Sequence, residues 1–231
     1  MHIEILDLIE GAKQARGLTV IIDVFRAFST ACYVVRNGAR EIIPVGDVEL
    51  AYQLKEENSD CVLMGERKGK ILPGFDYGNS PTEIKAIDFS GKTIIQTTSA
   101  GTQGFANAQE ADELISGSFV NAGAIVSYIK KKAPERVSLV CMGTWAVTPA
   151  DEDRLCAEYI TDQLSSKKLS REDVYNKLKV AKTSKIFFDP DIKWAPEKDF
   201  DLCLNIGLCN FVLKAEKIEN GLLALRPIYS R

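Results

Sequence analysis

The chain has 231 residues and a formal net charge of −3, with the apolar and charged fractions of an ordinary soluble globular protein. That length buries a substantial core, and the slightly acidic balance excludes a general nucleic-acid binder, whose affinity comes from neutralising phosphates with a basic surface. A small anion held by local charge stays open.

The chain begins Met1-His2-Ile3-Glu4-Ile5-Leu6-Asp7, with acids where a secretion signal needs a basic segment and a long apolar run. No later stretch is long enough to span a bilayer, so a cytoplasmic protein with no membrane partner is expected. His2 is the only histidine, which leaves proton transfer and metal ligation mainly to carboxylates. Cys32, Cys61, Cys141 and Cys156 sit among apolar neighbours and no CxxC pair occurs, so reduced, buried thiols are expected.

One junction then recurs: an apolar β-rich run ends in a polar cluster, and a helical segment follows. Val20-Ile21-Ile22 runs into Asp23-Val24-Phe25-Arg26, with a helix expected over 27–37. Val62-Leu63-Met64 runs into Gly65-Glu66-Arg67. Asn79-Ser80-Pro81 supplies a capping side chain and a first-turn Pro for another helix. Thr93-Ile94-Ile95 ends in Thr97-Thr98-Ser99-Ala100-Gly101-Thr102 before a helix over 103–111. Leu114-Ile115 leads through Ser116-Gly117-Ser118-Phe119-Val120-Asn121 into a helix over 121–132. Val137-Ser138-Leu139-Val140-Cys141 leads into Gly143-Thr144-Trp145, and Thr148-Pro149-Ala150 is read as the capped start of a helix over 151–166.

Residues 165–179 are charge-rich and read as an exposed helix with Leu169, Val174, Leu178 and Val180 on its buried side. Phe187-Phe188-Asp189-Pro190 and Trp194-Ala195-Pro196 mark turns, and 199–211 reads as a closing helix and strand. The alternation predicts a layered α/β/α fold with a largely parallel or mixed sheet, as one domain over 1–231. If the strands all end on one side, their polar clusters converge on one crevice where helix N-termini also point.

Several clusters there could carry chemistry. Asp23 at a strand end suits a metal ligand or nucleophile and Arg26 offers a fork of donors for anions, although an Asp cap beside a surface Arg explains both equally. Position 25 is Phe, so the D-x-D pair of haloacid-dehalogenase phosphatases is missing. Glu66-Arg67 repeats the acid-plus-Arg arrangement, with a solvated turn as its plain alternative. Asn79-Ser80 at a helix start, and the hydroxyl turn of Thr98, Ser99, Gly101 and Thr102, could hold phosphate through amides and hydroxyls or be structural. Asp151-Glu152-Asp153 favours a helix dipole without any function, or completes an oxygen-rich magnesium site.

In order along the chain, Asp23-Val24-Phe25-Arg26-Ala27, Gly65-Glu66-Arg67, Gly74-Phe75-Asp76-Tyr77-Gly78-Asn79-Ser80-Pro81, the hydroxyl turn and Asp151-Glu152-Asp153 resemble the 2-phosphosulfolactate phosphatase family. The turn departs from it at Ser99-Ala100, where Asn-Gly is the expected pair. The resemblance implies magnesium-dependent hydrolysis of 2-phospho-3-sulfolactate, a small anionic phosphomonoester, to 3-sulfolactate. The expected catalytic residues are Asp23, Glu66 and Asp153, and the expected Mg²⁺ ligands Asp23, Glu66, Glu152 and Asp153. Substrate contacts are expected from Arg26, Arg67, Asn79, Ser80, Thr98, Ser99, Gly101, Thr102 and Asn121. A homodimer is a guess resting on no particular residue. The competing reading is a noncatalytic sensor or binding protein for a small phosphorylated acid.

Overall fold

The computed structural model of the chain describes residues 1–165 and 169–230. Its first half runs β1 (His2–Asp7), α1 (Leu8–Gln14), β2 (Leu18–Ile22), α2 (Ala27–Arg36), β3 (Glu41–Pro44), α3 (Val48–Glu57), β4 (Val62–Arg67), β5 (Lys70–Ile71), α4 (Pro81–Ile84) and β6 (Thr93–Thr97). The second half runs α5 (Gly101–Asn107), β7 (Glu113–Gly117), α6 (Ala122–Lys132), β8 (Arg136–Cys141), α7 (Asp151–Leu164), α8 (Arg171–Lys179), α9 (Lys185–Phe188), α10 (Glu197–Cys203), β9 (Phe211–Lys217) and β10 (Leu223–Tyr229).

The strands form one sheet in the order β1-β8-β2-β7-β9-β10-β3-β6-β4-β5. Neighbours are parallel within β1-β8-β2-β7 and within β3-β6-β4. Between these blocks lies the antiparallel hairpin β9–β10, and β5 ends the sheet antiparallel to β4. The fold is thus α/β, with a mixed, mostly parallel sheet flanked by helices, as the strand-helix alternation predicts.

The mixed order corrects one step of the sequence reading. Three antiparallel pairings, β7–β9, β9–β10 and β10–β3, separate the blocks. That number is odd, so the two blocks run in opposite senses along the ladder and their ends do not meet through sheet geometry alone. They are joined through α2, which shares one core with both blocks. Every residue of that helix except Arg36 is buried. One continuous core joins its Phe28 and Val34 to Ile21 and Val140 of the first block and to Ile42, Met64 and Ile94 of the second. Twist of roughly 20–25° per strand pair accumulates across the hairpin, and the flanking ladders are short enough to bend, with only Leu225 opposite Ile42 on one side.

The opposite face of β2 packs Leu18, Val20 and Ile22 against Ile125 and Ile129 of α6 and Leu155 and Ile160 of α7. With both faces covered, β2 is buried along its whole length and apolar except at Thr19. Each fully buried Ile or Phe there contributes about 1.5–3 kcal/mol of burial free energy.

Some local expectations change. The helix after Ser80 is the single turn Pro81–Ile84, and the Ser80 side chain does not cap it. Ala150, rather than Thr148, stands at the N-cap of α7. Val174 and Leu178 are buried as expected, but Val180 is 80% exposed because it lies past the end of α8. The parts of the expected helices that fall on 166–168 lie outside the described residues. Cys32, Cys61, Cys141, Cys156, Cys203 and Cys209 are free and buried. Among the described residues no helix is long and apolar enough to cross a membrane.

Candidate active site

Asp23 is the first residue beyond β2. One of its carboxylate oxygens accepts the Ala27 N–H at 3.1 Å, so the side chain caps the first turn of α2. Burial pushes its pKa up from 3.8 to about 7; the Ala27 amide opposes this and the neighbouring Glu66 charge adds to it.

At the end of β4, Glu66 accepts the Ser99 N–H at 2.7 Å, the Ser99 hydroxyl at 3.1 Å and the Gly69 N–H at 2.6 Å. Its carboxylate therefore fastens the turn after β6 to the turn after β4. Gly69 has a φ of +82°, and a Cβ there would run into the Trp194 ring, so the tight turn requires glycine.

The acids opening α7 diverge around the helix. Asp151 is exposed at the cavity mouth, while Glu152 is buried with its Oε2 lacking any hydrogen-bond partner. Burial raises the Glu152 pKa from 4.5 to about 7, and the Asp23 charge contributes in the same direction. Asp153 turns away: its oxygens accept the Val24 N–H at 2.8 Å and the Gly143 N–H at 2.7 Å. It holds the loop carrying Asp23 against the turn after β8. Its pKa is driven well up by burial and by the Glu152 and Asp23 charges.

These groups surround a cavity of about 620 Å³, within the usual range for a small-molecule site. Of the residues singled out in the sequence, Asp23, Arg26, Glu66, Asn79, Ser99 and Glu152 line it. Asp151 lines it too, and the other expected site residues do not. Arg67 donates to the carbonyls of Glu66 and Gly46 at 2.8 and 3.1 Å and to the Thr97 hydroxyl at 2.8 Å. Thr98 and Thr102 bond each other's amides through their hydroxyls. Ser80 donates to Asp199. Asn121 accepts from Ser118 N–H and donates to the Ser116 carbonyl inside the turn before α6. Gly101 lies directly against Asp23: a Cβ there would sit 2.9 Å from Asp23 Oδ2.

The C-terminal third supplies residues that sequence reasoning missed. Lys182, Thr183, Ile186, Ile192 and Trp194 line the cavity, beside Gly143, Thr144 and Trp145 of the expected cluster after β8. Arg26 forms a buried ion pair with Asp199 at 2.6 Å. The only available signal was the Trp194-Ala195-Pro196 turn; nothing local marks Asp199.

Among the described residues no three His, Cys, Asp or Glu side chains gather closely enough to enclose a metal ion by themselves. The cavity instead presents an incomplete oxygen set. Asp23 and Glu152 feel each other's charge, and Glu152 Oε2 and Asn79 Oδ1 are buried without partners. Such a set fits a hard cation that keeps several waters and takes further oxygens from a ligand, as Mg²⁺ does.

Comparison with known proteins identifies the family. The 2-phosphosulpholactate phosphatase family model matches residues 3–217. A Caldicellulosiruptor saccharolyticus protein named "Probable 2-phosphosulfolactate phosphatase" is 34% identical over 210 residues, covering 80% of this chain and 86% of its own. A Clostridium acetobutylicum protein of the same name is 32% identical over 223 residues, covering 89% and 92%. One from Thermotoga petrophila reaches 44% over 125 residues, covering 54% and 53%.

Proposed function

Because the chain belongs to the 2-phosphosulpholactate phosphatase family, a family of phosphomonoester hydrolases, we propose that it is a magnesium-dependent phosphatase converting 2-phospho-3-sulfolactate and water to 3-sulfolactate and phosphate. Residues 1–231 act in this reading as one catalytic domain, in the cytoplasm, on a free small anion.

The charge balance of the cavity carries the proposal. Asp23, Glu66, Asp151 and Glu152 face it, against Arg26 and Lys182 alone. Once Asp23 and Glu152 are ionised, above about pH 7, an ester bearing phosphate, carboxylate and sulfonate would be repelled from such a site unless a divalent cation neutralised it. When bound, Mg²⁺ supplies that neutralisation and polarises a phosphoryl oxygen.

Asp23 and Glu152 are the cation's proposed protein ligands, with Asn79 beside them; Glu66, both of whose oxygens accept backbone amides, adds its charge nearby. Asp153 serves as a positioning residue, since both its oxygens are committed to backbone amides. In this reading Asp23 meets the phosphoryl group, either attacking phosphorus or taking the proton of the attacking water. Glu66 fixes Ser99 at the cavity wall, and Arg26 pairs with an acid group at the far end of the substrate. The test is a phosphate-release screen over small phosphorylated acids with Mg²⁺. Preferential hydrolysis of the ester carrying both carboxylate and sulfonate is expected; tight binding without release would make the chain a sensor.

Two further results are expected. Arg26→Lys weakens use of 2-phosphosulfolactate by about tenfold or more while affecting a simple aryl phosphate less, because Lys cannot reproduce a bidentate fork. Arg67→Lys, which loses bonds to Gly46, Glu66 and Thr97, lowers turnover of both esters alike. Steady-state kinetics on the two substrates checks both, and equal losses for Arg26→Lys would count against its role.

The second result concerns pH. Asp23 and Glu152 hold protons in the folded, metal-free protein up to about pH 7, whereas the unfolded chain releases them near 3.8 and 4.5. The folded state binds more protons in between, so stability is greatest below the unfolded values and is lost as pH rises through about 7. The melting temperature of metal-free protein should fall between about pH 5 and pH 8, and excess Mg²⁺ at about pH 8 should restore it. A flat profile, or a melt insensitive to Mg²⁺, contradicts the assignment.

A further inference from the structure

Asp199, in α10, is completely buried, and its two oxygens do different work. Oδ2 accepts from Arg26 Nη1 at 2.6 Å, while Oδ1 accepts from the Ser80 hydroxyl and the Thr82 N–H, each at 2.9 Å. Trp194 covers the guanidinium, its ring centroid 5.5 Å from Arg26 Cζ. Arg26 makes no other side-chain hydrogen bond among the described residues, yet it lines the cavity. Of its five N–H donors, one is held by Asp199 and the others make no hydrogen bond within the described residues.

We propose that Asp199 is the positioning residue of Arg26, tethering the guanidinium so that its free donors are already aimed at an acid group of the bound molecule. This rests on the reading that Arg26 pairs with the carboxylate or sulfonate end of the substrate. An untethered arginine would have to give up its side-chain freedom on binding, and a tethered one has lost it beforehand. The anchor is itself anchored: Ser80 and Thr82 hold Asp199 at the start of α4, so three chain segments fix one guanidinium.

Asp199→Asn isolates this role. Its Oδ1 can still accept from Ser80 and Thr82, while an amide NH₂ replaces Oδ2 and faces Nη1 with donor against donor. Affinities for 3-sulfolactate and for inorganic phosphate are measured by calorimetry with Mg²⁺ in excess, after a cooperative melt is confirmed. The expected result is a loss of about tenfold or more for 3-sulfolactate against about threefold or less for phosphate, with KM for 2-phosphosulfolactate rising by a similar factor and kcat changing far less. Equal weakening of both ligands, or of neither, overturns the inference while leaving the functional reading intact. Wild-type protein that binds phosphate but not 3-sulfolactate overturns both. If Asp199→Asn does not fold, Asp199→Glu, which keeps the charge but displaces the guanidinium, must show the same selective loss or the inference falls.

Discussion

Asp23→Asn lowers kcat on 2-phosphosulfolactate by at least about a hundredfold, the scale of losing a catalytic proton-transfer or nucleophilic group. Asn is nearly isosteric and keeps an acceptor for the Ala27 amide, so the loss reports the charge and the second oxygen rather than the shape. The same variant should melt higher than wild type without metal, since it removes a carboxylate whose charged form is disfavoured by burial. Because the cap is kept, loss of turnover in a stable variant marks a catalytic carboxylate, whereas a purely structural cap would leave turnover near normal. Near-normal turnover in a cooperatively melting variant would overturn the assignment.

Gly101→Val abolishes measurable phosphate binding, whereas Thr97→Val is milder. Gly101 has no left-handed backbone, so conformational freedom is not its purpose. Its value is proximity. A Cβ would lie 2.9 Å from Asp23 Oδ2, 3.0 Å from Phe28 Cζ and 3.1 Å from Ala27 Cβ, and the two branches of Val add to that crowding. Overpacking of this kind costs about 1–3 kcal/mol, and here the strain falls on the carboxylate that faces the ligand. Thr97 loses only one bond from Arg67, behind the cavity wall. Calorimetry with inorganic phosphate and excess Mg²⁺ checks both variants, and unchanged affinity in folded Gly101→Val would make this turn purely structural.

The parts of the site legible in the sequence are those where one segment announces itself. A strand buried on both faces is mostly apolar, so a polar cluster at its end, as around Asp23, Glu66 and Ser99, marks a backbone leaving the sheet toward solvent or a ligand. All three reach the cavity. What stayed hidden depends on pairing over distance or on rotation. Thr98 and Thr102 look like ligand donors until their four-residue spacing closes them on each other. Glu152 and Asp153 are equivalent in composition and opposite in direction, a difference of one step around a helix. Asp199 meets Arg26 across 173 positions of chain, and as a first-turn acid of α10 it already has a sufficient local explanation.

The fold divides in the same way. Strand-helix alternation sufficed for the α/β class, but the hairpin β9–β10 enters the middle of the sheet from the end of the chain. Its position there reverses one parallel block against the other. Strand propensity describes how a segment fits a pleated surface and says nothing about which neighbours it will have.

The most direct test is phosphate release from 2-phospho-3-sulfolactate by the wild-type chain, in excess Mg²⁺ and again after metal removal with a chelator. The account predicts steady multiple turnover with Mg²⁺, loss of essentially all of it on chelation, and full return when Mg²⁺ is added back. Turnover that survives thorough metal removal, or no phosphate release while the ester binds in Mg²⁺, would contradict it.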